Sequence, residues 1–163
     1  MMKRCAAALC AGACALAFAG WKGDARVHSF SELPRGNVLQ IHFHSSGCFN
    51  QDDYDFTFRR TGEASVDLVE KDYERAPRSF PRLSLTADDL KKLDATLKYY
   101  RAVKGGACTT LDTVKITELH GSRILAIESY QDRTCSNWDE DKNLLTFNEL
   151  YNRISDAAME STP

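Results

Sequence analysis

Apolar and polar residues alternate strictly around Leu39, Ile41 and Phe43, which interleave with Val38, Gln40, His42 and His44. A period of two predicts a half-buried strand over about Val38 to His44. Tyr54 to Leu68 alternates as well. A three-residue loop of Arg60, Thr61 and Gly62 sets Phe58 against Ala64, Phe56 against Val66 and Tyr54 against Leu68, and it pairs Arg59 with Glu63. The same register leaves Asp55 facing Asp67, a like-charged pair.

A second hairpin is centred on Gly121-Ser122, midway between Cys108 and Cys135. Glycine in first place suits a type II′ two-residue loop, which needs positive φ there. Lys115 then faces Glu128, Ile116 faces Ile127 and Leu119 faces Ile124, while Val114, Ile116, Leu125 and Ile127 share one face. Continuing that register carries Cys108 to a place opposite Cys135. The residues beside both cysteines are rich in loop-formers, so proximity is expected there and not strand geometry.

Between the hairpins the period changes. Thr86 caps a helix in which Leu90, Leu93, Leu97 and Tyr100 recur at helical spacing until Gly105-Gly106 stops it. Thr146 and Glu149 form a capping box ahead of Leu150, Tyr151 and Ile154. Pro77 and Pro81 mark the stretch before the first helix as a connecting loop. The order β-β-β-α-β-β-α predicts an α+β fold, a five-stranded mainly antiparallel sheet with both helices packed on one face.

The first nineteen residues follow a different rule. Lys3 and Arg4 precede an alanine-rich apolar run and then Ala17-Phe18-Ala19, the pattern of a secretory signal peptide and its cleavage site. Residues 1 to 19 are read as that peptide and residues 20 to 163 as a single α+β domain, periplasmic or secreted. Lipid attachment at Cys14 is disfavoured, because no branched apolar residue stands three places before it, and no stretch is apolar for long enough to span a membrane. Removing the peptide takes away two basic residues and leaves 19 basic against 23 acidic, a formal charge of −4 that argues against a nucleic-acid partner.

Three cysteines remain in the exported part: Cys48, Cys108 and Cys135. An oxidising compartment favours a disulfide between Cys108 and Cys135, closing a loop that contributes roughly 3 to 4 kcal/mol on the chain-entropy account. An odd count leaves one thiol over, and Cys48 paired with either partner is the other possibility.

From Cys48-Phe49 through Tyr54 to Gly62 the chain resembles a family of small exported bacterial domains of unknown function. Members of that family open a strand with Cys-Phe-Gly-x-Cys-Pro-x-Tyr, reach a hairpin glycine eight residues later, and run helix, hairpin, helix. Asn50 departs from the glycine, the second cysteine and the proline are absent, and Tyr54 comes one residue early. The resemblance implies the fold and no activity.

Candidate chemistry gathers beside the first strand. His42 and His44 project from one face, a spacing that offers two imidazoles to a metal, although a zinc site needs at least a third ligand. Asp53, Asp55 and the facing Asp67, with Asp52, form an acidic group, and Cys48 follows as a candidate thiol nucleophile. Solvated side chains and a buried or bonded cysteine account for the same residues without chemistry. Asp139 to Asn143 starts like a calcium loop, but Leu144 stands where the turn needs glycine. No cofactor motif and no nucleophile elbow occurs. Two function classes follow: an exported non-enzymatic binding module for another protein, of the inhibitor or immunity type, or a small metal- or thiol-dependent enzyme using His42, His44 and Cys48.

Overall fold

The structure, a computed structural model, describes residues 26–47, 51–71, 76–103, 105–135 and 142–160. Residues 1–19, expected to be a signal peptide, Cys48 and Asp139 to Asp141 lie outside the described residues. Strands β1 (Asn37–Ser46), β2 (Gln51–Arg60) and β3 (Ala64–Glu70) come first, then two short strands, β4 (Arg78–Ser79) and β5 (Leu83–Leu85). Helix α1 (Ala87–Ala102), strands β6 (Leu111–His120) and β7 (Arg123–Asp132) and helix α2 (Phe147–Glu160) complete the order. The sheet runs β4-β3-β2-β1-β6-β7 with β5 also paired to β3, and all named strand pairs are antiparallel.

Among the described residues the five expected strands are therefore seven. The two additions occupy the proline-marked connection, where Pro77 and Pro81 flank β4 and no run is long enough to alternate. Residues 26 to 36, for which the pattern predicts nothing, also join the core: Val27, Phe30 and Leu33 are buried. Arg101 Nη2 donates to Val27 O at 2.9 Å, and the Ser31 hydroxyl donates to Asp94.

Both hairpins form, and both differ from the expected register. In the first, the loop is Thr61-Gly62-Glu63, so Phe58 meets Val66, Phe56 meets Leu68 and Tyr54 meets Glu70. Asp55 then lies opposite Val69 and Asp67 opposite Thr57, and the like-charged pair does not exist. Arg59 gives up Glu63 for an ion pair with Asp67.

In the second, Gly121 has φ 59° while Ser122 does not share the positive φ, as a type II′ turn requires. Leu119 meets Ile124 as expected, but a bulge between Glu118 and Leu119 then inserts Leu125. Beyond it Ile116 faces Glu128 and Lys115 faces Ser129. The bulge turns Ala126 inward and Ile127 outward, opposite to the regular ladder. The β6–β7 ladder ends at Asp112 and Asp132, and outside it Cys108 and Cys135 form the expected disulfide with Cα atoms 5.6 Å apart.

The inner face of the sheet carries Leu39, Ile41, Phe43, Phe56, Phe58, Val66, Leu68, Val114 and Ile116, all buried. Phe147, first residue of α2, contacts Phe43 and Phe56 with ring centroids 5.6 Å away in each case, and Tyr100 of α1 at 6.0 Å. Tyr100 also stacks on Tyr130 of β7, and Tyr151 on Tyr54. Thr86 caps α1 with Asp89 closing the capping box, and the Glu149 amide donates to Thr146 Oγ1 at the start of α2. Among the described residues no helix is long and apolar enough to cross a membrane.

Candidate functional site

Central position in the sheet places β1 between β2 and β6, so its outward side chains have neighbours on both sides. His42 lies opposite Asp55 and Lys115, and His44 opposite Asp53 and Thr113. A carboxylate only accepts, so His42 Nδ1, 2.9 Å from Asp55 Oδ1, carries the donated proton and Nε2 is the ring nitrogen turned away from it. His42 and His44 each approach Asp53 through Nδ1, to Oδ1 and Oδ2 respectively, at 3.5 Å. Lys71 Nζ closes on Asp55 Oδ2 at 2.6 Å, and the Lys71 amide donates to Asp53 O.

These contacts make a small charged lattice on an open strand surface. The imidazoles are 39% and 24% exposed, the Asp55 side chain 38% and that of Lys71 43%, whereas Asp53 is nearly enclosed and its Oδ1 accepts no hydrogen bond. The structure thus brings His42, His44, Asp53 and Asp55 together. Asp67 belongs elsewhere: it receives Arg59 and also Arg82 Nε at 2.8 Å. Cys48, the remaining candidate, lies outside the described residues.

Among the described residues no three His, Cys, Asp or Glu side chains are placed to share a metal ion. The two histidines have carboxylates behind them, as metal-ligating imidazoles do, but among the described residues no third ligand of the kind zinc requires converges with them. A described apolar pocket is lined by Phe30, Leu33, Phe58 and Leu90 among others, and it includes none of the charged lattice.

A second polar group escaped sequence reasoning. Glu118, 1% exposed, accepts from the His28 amide at 2.8 Å, from His28 Nδ1 at 2.7 Å and from Asn37 Nδ2 at 2.6 Å. Asn37 Oδ1 in turn accepts from His120 Nδ1 at 2.9 Å. Glu118 is in phase with Val114 and Ile116 on β6, a polar residue at a core position, and that was the available signal. His28 lies in a segment without periodicity. Farther along the same inner face, burial first and then the Glu128 hydrogen bond push Tyr130 up to about 12, and burial, then Asp112 and Asp132, drive Tyr100 higher still.

No protein-family model matches the chain, and no curated protein matches it significantly.

Proposed function

We propose that this protein is an exported binding module that meets another protein through the outward face of β1, β2 and β6, while both helices cover the inner face. The observation that carries the reading is the lattice of His42, His44, Asp55 and Lys71, held in one arrangement by the Lys71–Asp55 ion pair, the His42–Asp55 hydrogen bond and the approach of both rings to Asp53, while remaining partly exposed on the outward face. Ordered charges on an open surface suit recognition, because a partner meets them already in position. Catalysis favours enclosure, where water is excluded and electrostatic terms grow. The disulfide fits life outside the cytoplasm, as does the signal-like start of the sequence.

Affinity capture from the native envelope at low salt tests this. The unaltered protein retains a specific partner, Asp55→Lys loses it by inverting charge at the centre of the lattice, and Lys91→Glu on α1 does not. Recovery of no partner, or equal recovery by Asp55→Lys, rejects the reading.

The alternative, a metal- or thiol-dependent enzyme, draws on one observation: His42 Nδ1 is committed to Asp55, which leaves Nε2 free to coordinate. Stoichiometric metal in the purified protein, lost in His42→Ala, or a hyper-reactive Cys48 selects that alternative. Metal-free protein with an inert Cys48 removes it.

A further inference from the structure

Strand β7 forms one margin of the sheet, and among the described residues its outer side is engaged only at Asp132, by a single parallel bridge from Gly105. The opposite margin is closed piecewise. There β5 covers Ala64 to Val66 of β3 and β4 covers Val69 and Glu70, short strands that leave little continuous backbone for another chain. Long edges in natural proteins are blunted against unwanted pairing by lysine, proline or a bulge, and of these β7 has only the bulge at Leu125. It displays Ile124 and Ile127 instead, 40% and 48% exposed, two of the three large apolar side chains exposed among the described residues.

The bulge decides which partner fits. Ile124 pairs with Leu119 and Ile127 with Thr117, so both isoleucines point to the outer face although they are three residues apart, whereas a regular strand repeats every two. An ordinary strand laid along β7 loses register at Leu125. A second copy of β7 carries the same irregularity and matches it.

We propose that two copies of this protein associate by antiparallel pairing of their β7 strands about a two-fold axis at the Leu125-Ala126 peptide. Ile124 of each copy then meets Ile127 of the other, extending the outward row of Val38, Leu119 and Ile124 across the join. Arg123 comes opposite Glu128, which already holds Arg101 of its own copy, so the approach joins opposite charges and no like pair is created. The contact is isologous, and because the other margin is closed, assembly stops at two.

Sedimentation equilibrium of the oxidised full chain, up to roughly 100 μM where interfaces of modest area associate, provides the test. The expected result is a monomer–dimer equilibrium. Ile127→Lys weakens it more than about tenfold by placing a solvated charge on the edge, Ile127→Val retains it, and Met159→Lys, at the third exposed apolar side chain, leaves it unchanged. Circular dichroism confirms that each variant is folded. A protein that stays monomeric throughout, assembles beyond two copies, or dimerises equally well with Ile127→Lys overturns the proposal.

Discussion

Arg153 of α2 donates from Nη1 to Asp89 Oδ1 of α1 at 2.7 Å, joining two helices whose contacting residues are 64 positions apart. Asp89 meanwhile closes the capping box with Thr86, accepting from its amide at 2.8 Å. One carboxylate therefore ends one helix and docks the other.

That arrangement predicts a specific pH dependence. Burial by itself raises the Asp89 carboxyl, but the Arg153 hydrogen bond and the two Thr86 hydrogen bonds outweigh it and lower the group from 3.8 to about 2. A lowered folded-state value means stability that is complete above the unfolded value and is lost as pH falls through the folded one. Chemical denaturation between about pH 4 and about pH 2 should show a loss of about 2 kcal/mol from this group. Asp89→Asn should lack that component across the same interval.

Glu118 should be far costlier to remove than its polarity suggests. Its carboxylate is enclosed and takes every hydrogen bond from His28 and Asn37 that the network offers. Glu118→Ala leaves the buried Asn37 amide without its acceptor, while the half-exposed His28 ring can turn to water, and should cost about 2 to 3 kcal/mol in urea denaturation. Lys115→Ala, on the exposed side of the same strand, should stay within about 0.5 kcal/mol.

Gly106 sits where a side chain has no room. A Cβ there would lie 2.0 Å from the Arg133 carbonyl oxygen, beside the Cys108 amide bond to that same oxygen. Because the obstacle is backbone, relief requires moving the whole crossing, and Gly106→Ala should lower stability by about 2 kcal/mol or more. A thermal melt monitored by near-ultraviolet circular dichroism checks it.

Replacing Cys108 and Cys135 together with serine should lower stability by roughly 3 to 4 kcal/mol, since the crosslink shortens the unfolded chain's reach around the whole second hairpin. Equilibrium denaturation of the oxidised protein against the double variant measures the difference. Peptide mapping without reduction should recover Cys108 joined to Cys135.

Local chemistry was legible wherever one short stretch of chain decides the outcome. The alternation at Leu39, Ile41 and Phe43, the caps at Thr86 and Thr146 and the turn at Gly121 depend on neighbours within a few residues, and the sequence by itself determined them. It also brought Cys108 near Cys135, because both flank one hairpin. Of the candidate site, it placed His42 and His44 on one face, since a strand's pleat allows nothing else.

Registers were decided only in the tertiary structure. The bulge at Leu125 turns Ala126 into the core beside Glu118, and the loop at Thr61 to Glu63 separates Asp67 from Asp55 so that Arg59 and Arg82 can reach it. The two-residue shift in the first hairpin keeps Phe56, Phe58, Val66 and Leu68 on the inner face and changes only their cross-strand partners, whereas the single residue inserted at Leu125 exchanges which side chains enter the core, and that selection belongs to the assembled layers. Glu118 illustrates the same limit: its burial is tolerable only because His28 and Asn37, 90 and 81 residues away, arrive to satisfy it.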